Sequence, residues 1–144
     1  MTVKLQVDIY FNRRVIISLK TWSGFNKEHK LESIEIARRA VELASDKQAE
    51  EVVLLDTRQV CSFADYIVIC SGETDRQIDA ILGEITRSLK KLSIVPYRSE
   101  GVSSSGWVLL DYLGVVIHIF SRELRDYYRL ESVYEKAPQL LRIQ

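Results

Sequence analysis

At 144 residues, with 47% hydrophobic and 28% charged side chains, the chain has the size and balance of one globular domain that needs no disulfide staples. Twenty Lys and Arg residues cancel twenty Asp and Glu, which argues against primary nucleic-acid binding held by phosphate neutralisation. No run approaches the roughly twenty apolar residues of a membrane span, and Lys4, Asp8, Asn12, Arg13 and Arg14 interrupt the start too often for a signal peptide, so a cytoplasmic protein with no membrane contact is expected.

Residues 1–30 read as an N-terminal extension of doubtful order. Val3, Leu5, Val7 and Ile9 alternate with polar positions and Val15-Ile16-Ile17 is a short apolar run, which allows one or two weak strands, before Thr21 to Lys30 turns polar. From Leu31 the pattern is helical, with Leu31, Ile34, Ala37, Val41 and Ala44 on one stripe and an end near Asp46. Residues 51–56 and 65–70 hold two continuous apolar runs, Val52-Val53-Leu54-Leu55 and Tyr66-Ile67-Val68-Ile69-Cys70, which predict strands buried on both faces. Ser71-Gly72-Glu73 should break the second strand. Thr74 then opens a helix, with Gln77 three residues on completing a capping box and Ile78, Ile81, Leu82, Ile85, Leu89 and Leu92 as its buried stripe.

Pro96 confines the next extended piece, Val95 to Arg98, to a sheet edge or a strand start. Gly101 and Ser103-Ser104-Ser105-Gly106 make a flexible approach to a hairpin in which Trp107-Val108-Leu109-Leu110-Asp111-Tyr112 and Val115-Val116-Ile117-His118-Ile119-Phe120 flank Leu113-Gly114. A two-residue turn puts Trp107 opposite Phe120, Leu109 opposite His118 and Asp111 opposite Val116. That register asks Leu113 for a positive φ, which leucine tolerates poorly, so a three-residue loop pairing Asp111 with Val115 competes with it. Ser121 can cap a last helix carrying Leu124, Tyr127, Tyr128, Leu130 and Val133, stopped by Pro138, with one of the two adjacent tyrosines packed on the sheet and the other facing out. The order of elements predicts an α/β (α+β) fold, a mixed β-sheet flanked by helices.

Catalysis finds no clear anchor in these residues. Asp56, Asp65 and Asp111 all fall at strand edges, but a nucleotidyltransferase would carry a Gly-Ser turn followed by two acids one residue apart on a strand. Ser71-Gly72 inverts that turn and no such acid pair follows. The segment from Ser71 to Thr74 could hold an anion at a helix N-terminus, yet lacks the glycines and lysine of a phosphate loop. Cys61 and Cys70 make no zinc pattern, so neither metal nor cofactor is expected. Cys70 could approach His118 across the sheet, although both sit among aliphatic residues. The basic spots Arg38-Arg39, Lys90-Lys91 and Arg122, Arg125 and Arg129 are interleaved with acids and read as solvated helix faces. Binding has an anchor in Trp107 and Phe120, since large aromatic side chains dominate interface energetics.

Ala64 to Gly72, Asp75-Arg76-Gln77, Glu100-Gly101, Trp107 to Tyr112, His118 with Phe120, and Tyr128-x-Leu130-Glu131 occur in order, and together the stretch from Leu31 to Pro138 resembles the ribosomal silencing factor family, also called Iojap-like. The resemblance implies a nucleotidyltransferase-like fold without catalytic acids. It implies a non-enzymatic translation repressor that binds the large ribosomal subunit through its protein number fourteen and sterically blocks joining of the small subunit under nutrient limitation. Carried onto this chain, the contact surface would use Trp107, Leu109 and Asp111, with His118 and Phe120 beside them, while Asp65, Asp75 and Tyr128 match motif positions of structural character.

This sequence departs from the family pattern at Leu113-Gly114, where many members have Gly-Asp, and at Tyr134, where tryptophan is common. Residues 1–30 have no counterpart in it. They are either a lineage-specific extension or, with Met1 the sole methionine, a start placed too early. A metal-dependent nucleotidyltransferase-like enzyme is the alternative reading, and a homodimer that hides the hairpin face is a third.

Overall fold

The computed structural model describes residues 31–144 in full and, before them, the backbone of two strands, β1 (Gln6–Tyr10) and β2 (Arg14–Ser18). These pair antiparallel with Val7 opposite Ile17, at the two places where alternation and the short apolar run allow strands. The polar stretch from Thr21 to Lys30 lies outside the described residues.

A six-stranded mixed sheet forms the body of the fold, in the order β5-β6-β7-β4-β3-β8. The two apolar runs become β3 (Glu50–Asp56) and β4 (Tyr66–Gly72), which pair antiparallel, and the hairpin becomes β6 (Trp107–Asp111) and β7 (Val115–Ser121). β4 and β7 lie side by side in parallel at the centre, with Ile69 level with His118 and Ser71 level with Phe120. Strands covered on both sides are apolar at nearly every position, which is why their sequences run rather than alternate.

Helices α1 (Ser33–Asp46) and α2 (Asp75–Lys91) cover one face. Val108, Leu110, Tyr112, Val115, Ile117 and Ile119 point into that layer, against Ala37, Ala40, Val41, Ile78, Ile81, Ile85 and Leu89. The α1 stripe is wider than the spacing indicated, because Ile36 and Leu43 are buried as well. The predicted stripe of α2 holds except at its end, where Leu92 closes the helix and is 50% exposed.

Three local expectations are corrected. β4 does not break at Ser71 but runs to Gly72, since both residues stay paired with β7. Glycine is required there by close approach: a Cβ on Gly72 would stand 2.8 Å from Ile78 Cγ1 where α2 begins. The capping of α2 is also shifted, for Thr74 accepts from the Gln77 amide at 3.1 Å while Gln77 Oε1 accepts from the Glu73 amide, not that of Thr74. Gln77 Nε2 donates to the Gln48 carbonyl at 2.8 Å, tying the start of α2 to the turn after α1. The edge strand after Pro96 starts later than predicted, as β5 (Arg98–Glu100), and a 3₁₀ turn at Ser103–Ser105 follows it.

The last helix is the largest departure. It divides at Arg129, whose φ of +46° is left-handed, into α3 (Arg122–Tyr128), capped by Ser121, and α4 (Leu130–Val133). Past Pro138 the chain forms β8 (Gln139–Ile143), an edge strand antiparallel to β3 that the sequence reading missed. Among the described residues no helix is long and apolar enough to cross a membrane.

Candidate partner-binding face

The two-residue turn is the one the chain adopts. Trp107 pairs with Phe120, Leu109 with His118 and Asp111 with Val116, and the three-residue alternative is excluded. Leu113 takes φ +70° and the Gly114 amide donates to the Tyr112 carbonyl at 3.1 Å, the φ and the hydrogen bond of a γ-turn centred on Leu113, a conformation that costs a leucine strain. Two contacts hold it there. Asp111 Oδ1 accepts from the Leu113 amide at 2.8 Å, and the Gly114 carbonyl accepts from the amides of Asp65 and Tyr66. A Cβ on Gly114 would press on Ser33, standing 3.0 Å from its Cβ and forcing its hydroxyl to turn away.

Alternation then sends Trp107, Leu109 and Asp111 to the sheet face opposite α1 and α2. This second layer is thinner, with Val53, Leu55, Ile67, Ile69, Val116 and Phe120 under a partial cover of Ala64, Leu124, Leu130, Tyr134 and Ala137. Trp107, Leu109 and Asp111 remain half-buried at its rim, whereas Phe120 is fully buried and His118 is 6% exposed. In this conformation the five predicted site residues are therefore three that present surface and two that lie beneath it.

The indole of Trp107 is held from several sides. Its ring lies 4.8 Å from Phe120 and 4.9 Å from Tyr128 by centroids, and its Nε1–H donates to His118 Nδ1 at 3.1 Å. As an acceptor, Nδ1 carries no proton, so the neutral imidazole bears its proton on Nε2. Burial pushes the His118 pKa down to about 4. Aromatic pairs of this kind add about 0.5–1.5 kcal/mol each beyond their buried area, enough to keep a large ring in one orientation. The backbone beneath Trp107 is equally constrained: Gly101 at φ +83° leaves no room for a Cβ, which would stand 2.1 Å from the Trp107 carbonyl oxygen.

Tyr128 is the tyrosine on the sheet, and Tyr127 turns outward, 77% exposed, with its ring edge-on to that of Tyr128. Sequence reasoning left the choice between them open, because the left-handed break at Arg129 has no glycine or proline to signal it. Asp111 is the acidic end of the face, with Arg98 Nη2 at 3.7 Å from its second oxygen.

The other chemical candidates do not assemble. Asp56 is gripped by the Arg58 guanidinium at 3.0 and 2.7 Å, which holds its carboxyl below the usual range, and Asp111 is committed to the turn. Among the described residues no three His, Cys, Asp or Glu side chains are gathered to hold a metal ion. Cys70 does not approach His118, for it points into the α1 and α2 layer while His118 faces the other way, and burial pushes its thiol up to about 12. A broad polar groove between α3, α4 and the ends of β3 and β8 contains Arg122, Arg125, Arg129 and Arg142. Arg122, Arg125 and Arg142 are already paired, with Glu50, Glu131 and Glu51 respectively.

Residues 30–144 match the family model described as ribosomal silencing factor during starvation. The chain belongs to the ribosomal silencing factor family. It is 37% identical over 103 residues to the ribosomal silencing factor of Bacillus subtilis, covering 72% of this chain and 87% of the relative. The corresponding factor of Halalkalibacterium halodurans is 36% identical over 104 residues, 72% of this chain and 89% of its own. Among solved structures, a protein of Chromobacterium violaceum superposes with a TM-score of 0.70 at 30% identity, over 73% of this chain and 88% of that one. The family resemblance read from the motifs between Leu31 and Pro138 is thereby established.

Proposed function

We propose that this chain is a cytoplasmic, non-enzymatic translation repressor that binds the large ribosomal subunit at protein number fourteen and blocks small-subunit joining by occupying the space between them. One observation supports this above the others. On a rigid hairpin, Trp107, Leu109 and Asp111 form a half-exposed row with an aromatic anchor at one end and a carboxylate at the other, on the sheet face that α1 and α2 leave uncovered. Centrally held aromatic anchors of this type dominate protein interfaces, and truncating one costs about 2 kcal/mol or more. In this reading His118 and Phe120 support the contact row from beneath, and the neutral charge of the chain suits a contact with protein rather than with rRNA phosphates. Residues 31–144 carry the activity and residues 1–30 are an extension to it.

Sedimentation with purified large subunits, followed by addition of small subunits at associating magnesium concentration, tests the proposal. Co-sedimentation with the large subunit at one copy each and a reduced yield of joined particles are expected. Trp107→Ala should lower affinity roughly thirtyfold, the equivalent of about 2 kcal/mol. Leu109→Glu provides a second probe that leaves the indole in place. A folded protein that fails to sediment with ribosomes of its own organism would defeat the proposal, and a concentration-dependent size in its free form would point instead to a homodimer through this face.

A further inference from the structure

The Trp107 indole is held between two rings with different supports. Phe120 belongs to the central strand β7 and is fully buried, so the sheet fixes it. Tyr128 is the last residue of α3, a seven-residue helix followed by the four-residue α4, and helices this short have no stability of their own. Something outside them must set where Tyr128 stands.

Arg125 is placed to do so. It is 7% exposed, lies one helical turn before Tyr128, and spreads its guanidinium over three other elements. Nε and Nη2 donate to Glu131 Oε1 of α4 at 2.8 and 2.6 Å, Nη1 donates to Ser71 Oγ of β4 at 3.0 Å, and the Glu50 carbonyl of β3 is 3.4 Å from Nη1. The Arg125–Glu131 pair spans the left-handed break at Arg129 and so closes the elbow between the two helices. Ser71 is level with Phe120, which is level with Trp107, so these three side chains run along one row of one sheet face. Arg125 grips one end of that row and Tyr128 lies on the other.

We propose that Arg125 is a positioning residue of the binding face: pinned to Glu131 and Ser71, it holds the α3–α4 elbow on the sheet and keeps Tyr128 against Trp107, which makes Tyr128 part of the contact surface. A buried ion pair is poor evidence of net stability, because desolvation offsets the attraction. A planar fork with several donors in fixed directions does suit the fixing of one arrangement, and a lysine ammonium cannot reproduce that reach.

The inference rests on the proposed ribosome contact, and the test separates the two. In free protein labelled for NMR, with the Trp107 indole resonance assigned through Trp107→Phe, the nuclear Overhauser effects between the Trp107 and Tyr128 rings are followed in Arg125→Lys and, with its more exposed position, Glu131→Gln. Large-subunit affinity is measured for Arg125→Lys, Tyr128→Ala and the double variant. Arg125→Lys should lose the ring-to-ring effects and bind at least tenfold more weakly, and the double variant should bind no worse than Tyr128→Ala alone. Should Arg125→Lys fail to fold, Glu131→Gln takes its place in both measurements. Persistence of the ring contact in a folded variant, or losses of affinity that multiply in the double variant, would overturn the proposal. If the unmodified protein does not bind large subunits, the ribosome reading fails while the ring contact still decides the positioning role.

Discussion

The neutral imidazole beneath Trp107 makes stability depend on pH in a window of its own. In the unfolded chain His118 takes up a proton near pH 6.5, whereas burial lowers its folded pKa to about 4. Between those values the unfolded state binds more protons than the folded one, so unfolding is favoured as the pH falls. The contribution is fully present above pH 6.5 and is lost progressively toward pH 4. The whole difference amounts to about 3 kcal/mol, and about 2 kcal/mol of it is lost by pH 5, a sizeable share of a domain stability of roughly 5–15 kcal/mol. Asp56 and Glu84 act in the same direction at lower pH, since their folded pKa values are depressed from carboxylate values already near 4. The assay is urea unfolding followed by circular dichroism from pH 7 to pH 5, comparing the chain with His118→Asn. Asparagine keeps an acceptor near the Nδ1 position but does not titrate, and any fixed cost of the smaller side chain is independent of pH. The unmodified midpoint should fall by roughly 1 M urea relative to the variant across that range, given a denaturant slope of about 2 kcal/mol/M. Parallel pH dependences for the two proteins would refute the assignment of His118 as a buried neutral acceptor.

Leu113→Gly should stabilise the fold by about 1 kcal/mol in the same urea assay, because the left-handed cost of a leucine disappears and its 61% exposed side chain gives up little burial; a lower midpoint would show that the turn is not strained. Gly72→Ala should destabilise by about 1–3 kcal/mol, since the added methyl would press on Ile78 where α2 packs against β4; thermal unfolding unchanged within error would contradict the close approach. Phe120→Ala removes a fully buried ring under Trp107 and should cost about 3–5 kcal/mol, and a loss below 1 kcal/mol would mean that the site collapses to fill the space.

The order of elements as far as β7, the burial of β3 and β4, most of the helix stripes and the family motifs were legible in the residues, because each follows from local period or composition. The reach of β4 through Gly72 was misjudged because, at the end of a strand, the pairing partner rather than the residue decides whether the strand continues. β8 was missed because a five-residue edge strand has too few positions for its alternation to stand out. The row of Trp107, Leu109 and Asp111 was legible as soon as the hairpin was recognised, while the place of Tyr128 was not.

The sequence by itself determined that Trp107, Leu109 and Asp111 share one side of a strand, and the motifs around them determined the family, because side-chain direction in a strand is fixed by parity alone. Tertiary structure decided the rest. Contacts to Asp111, Asp65 and Tyr66 hold a leucine in the left-handed turn that selects the register. The burial of His118, its bond to the indole and the Arg125 anchor across the α3–α4 elbow arise from residues far apart in the chain, whose meeting depends on packing and leaves no local period to read.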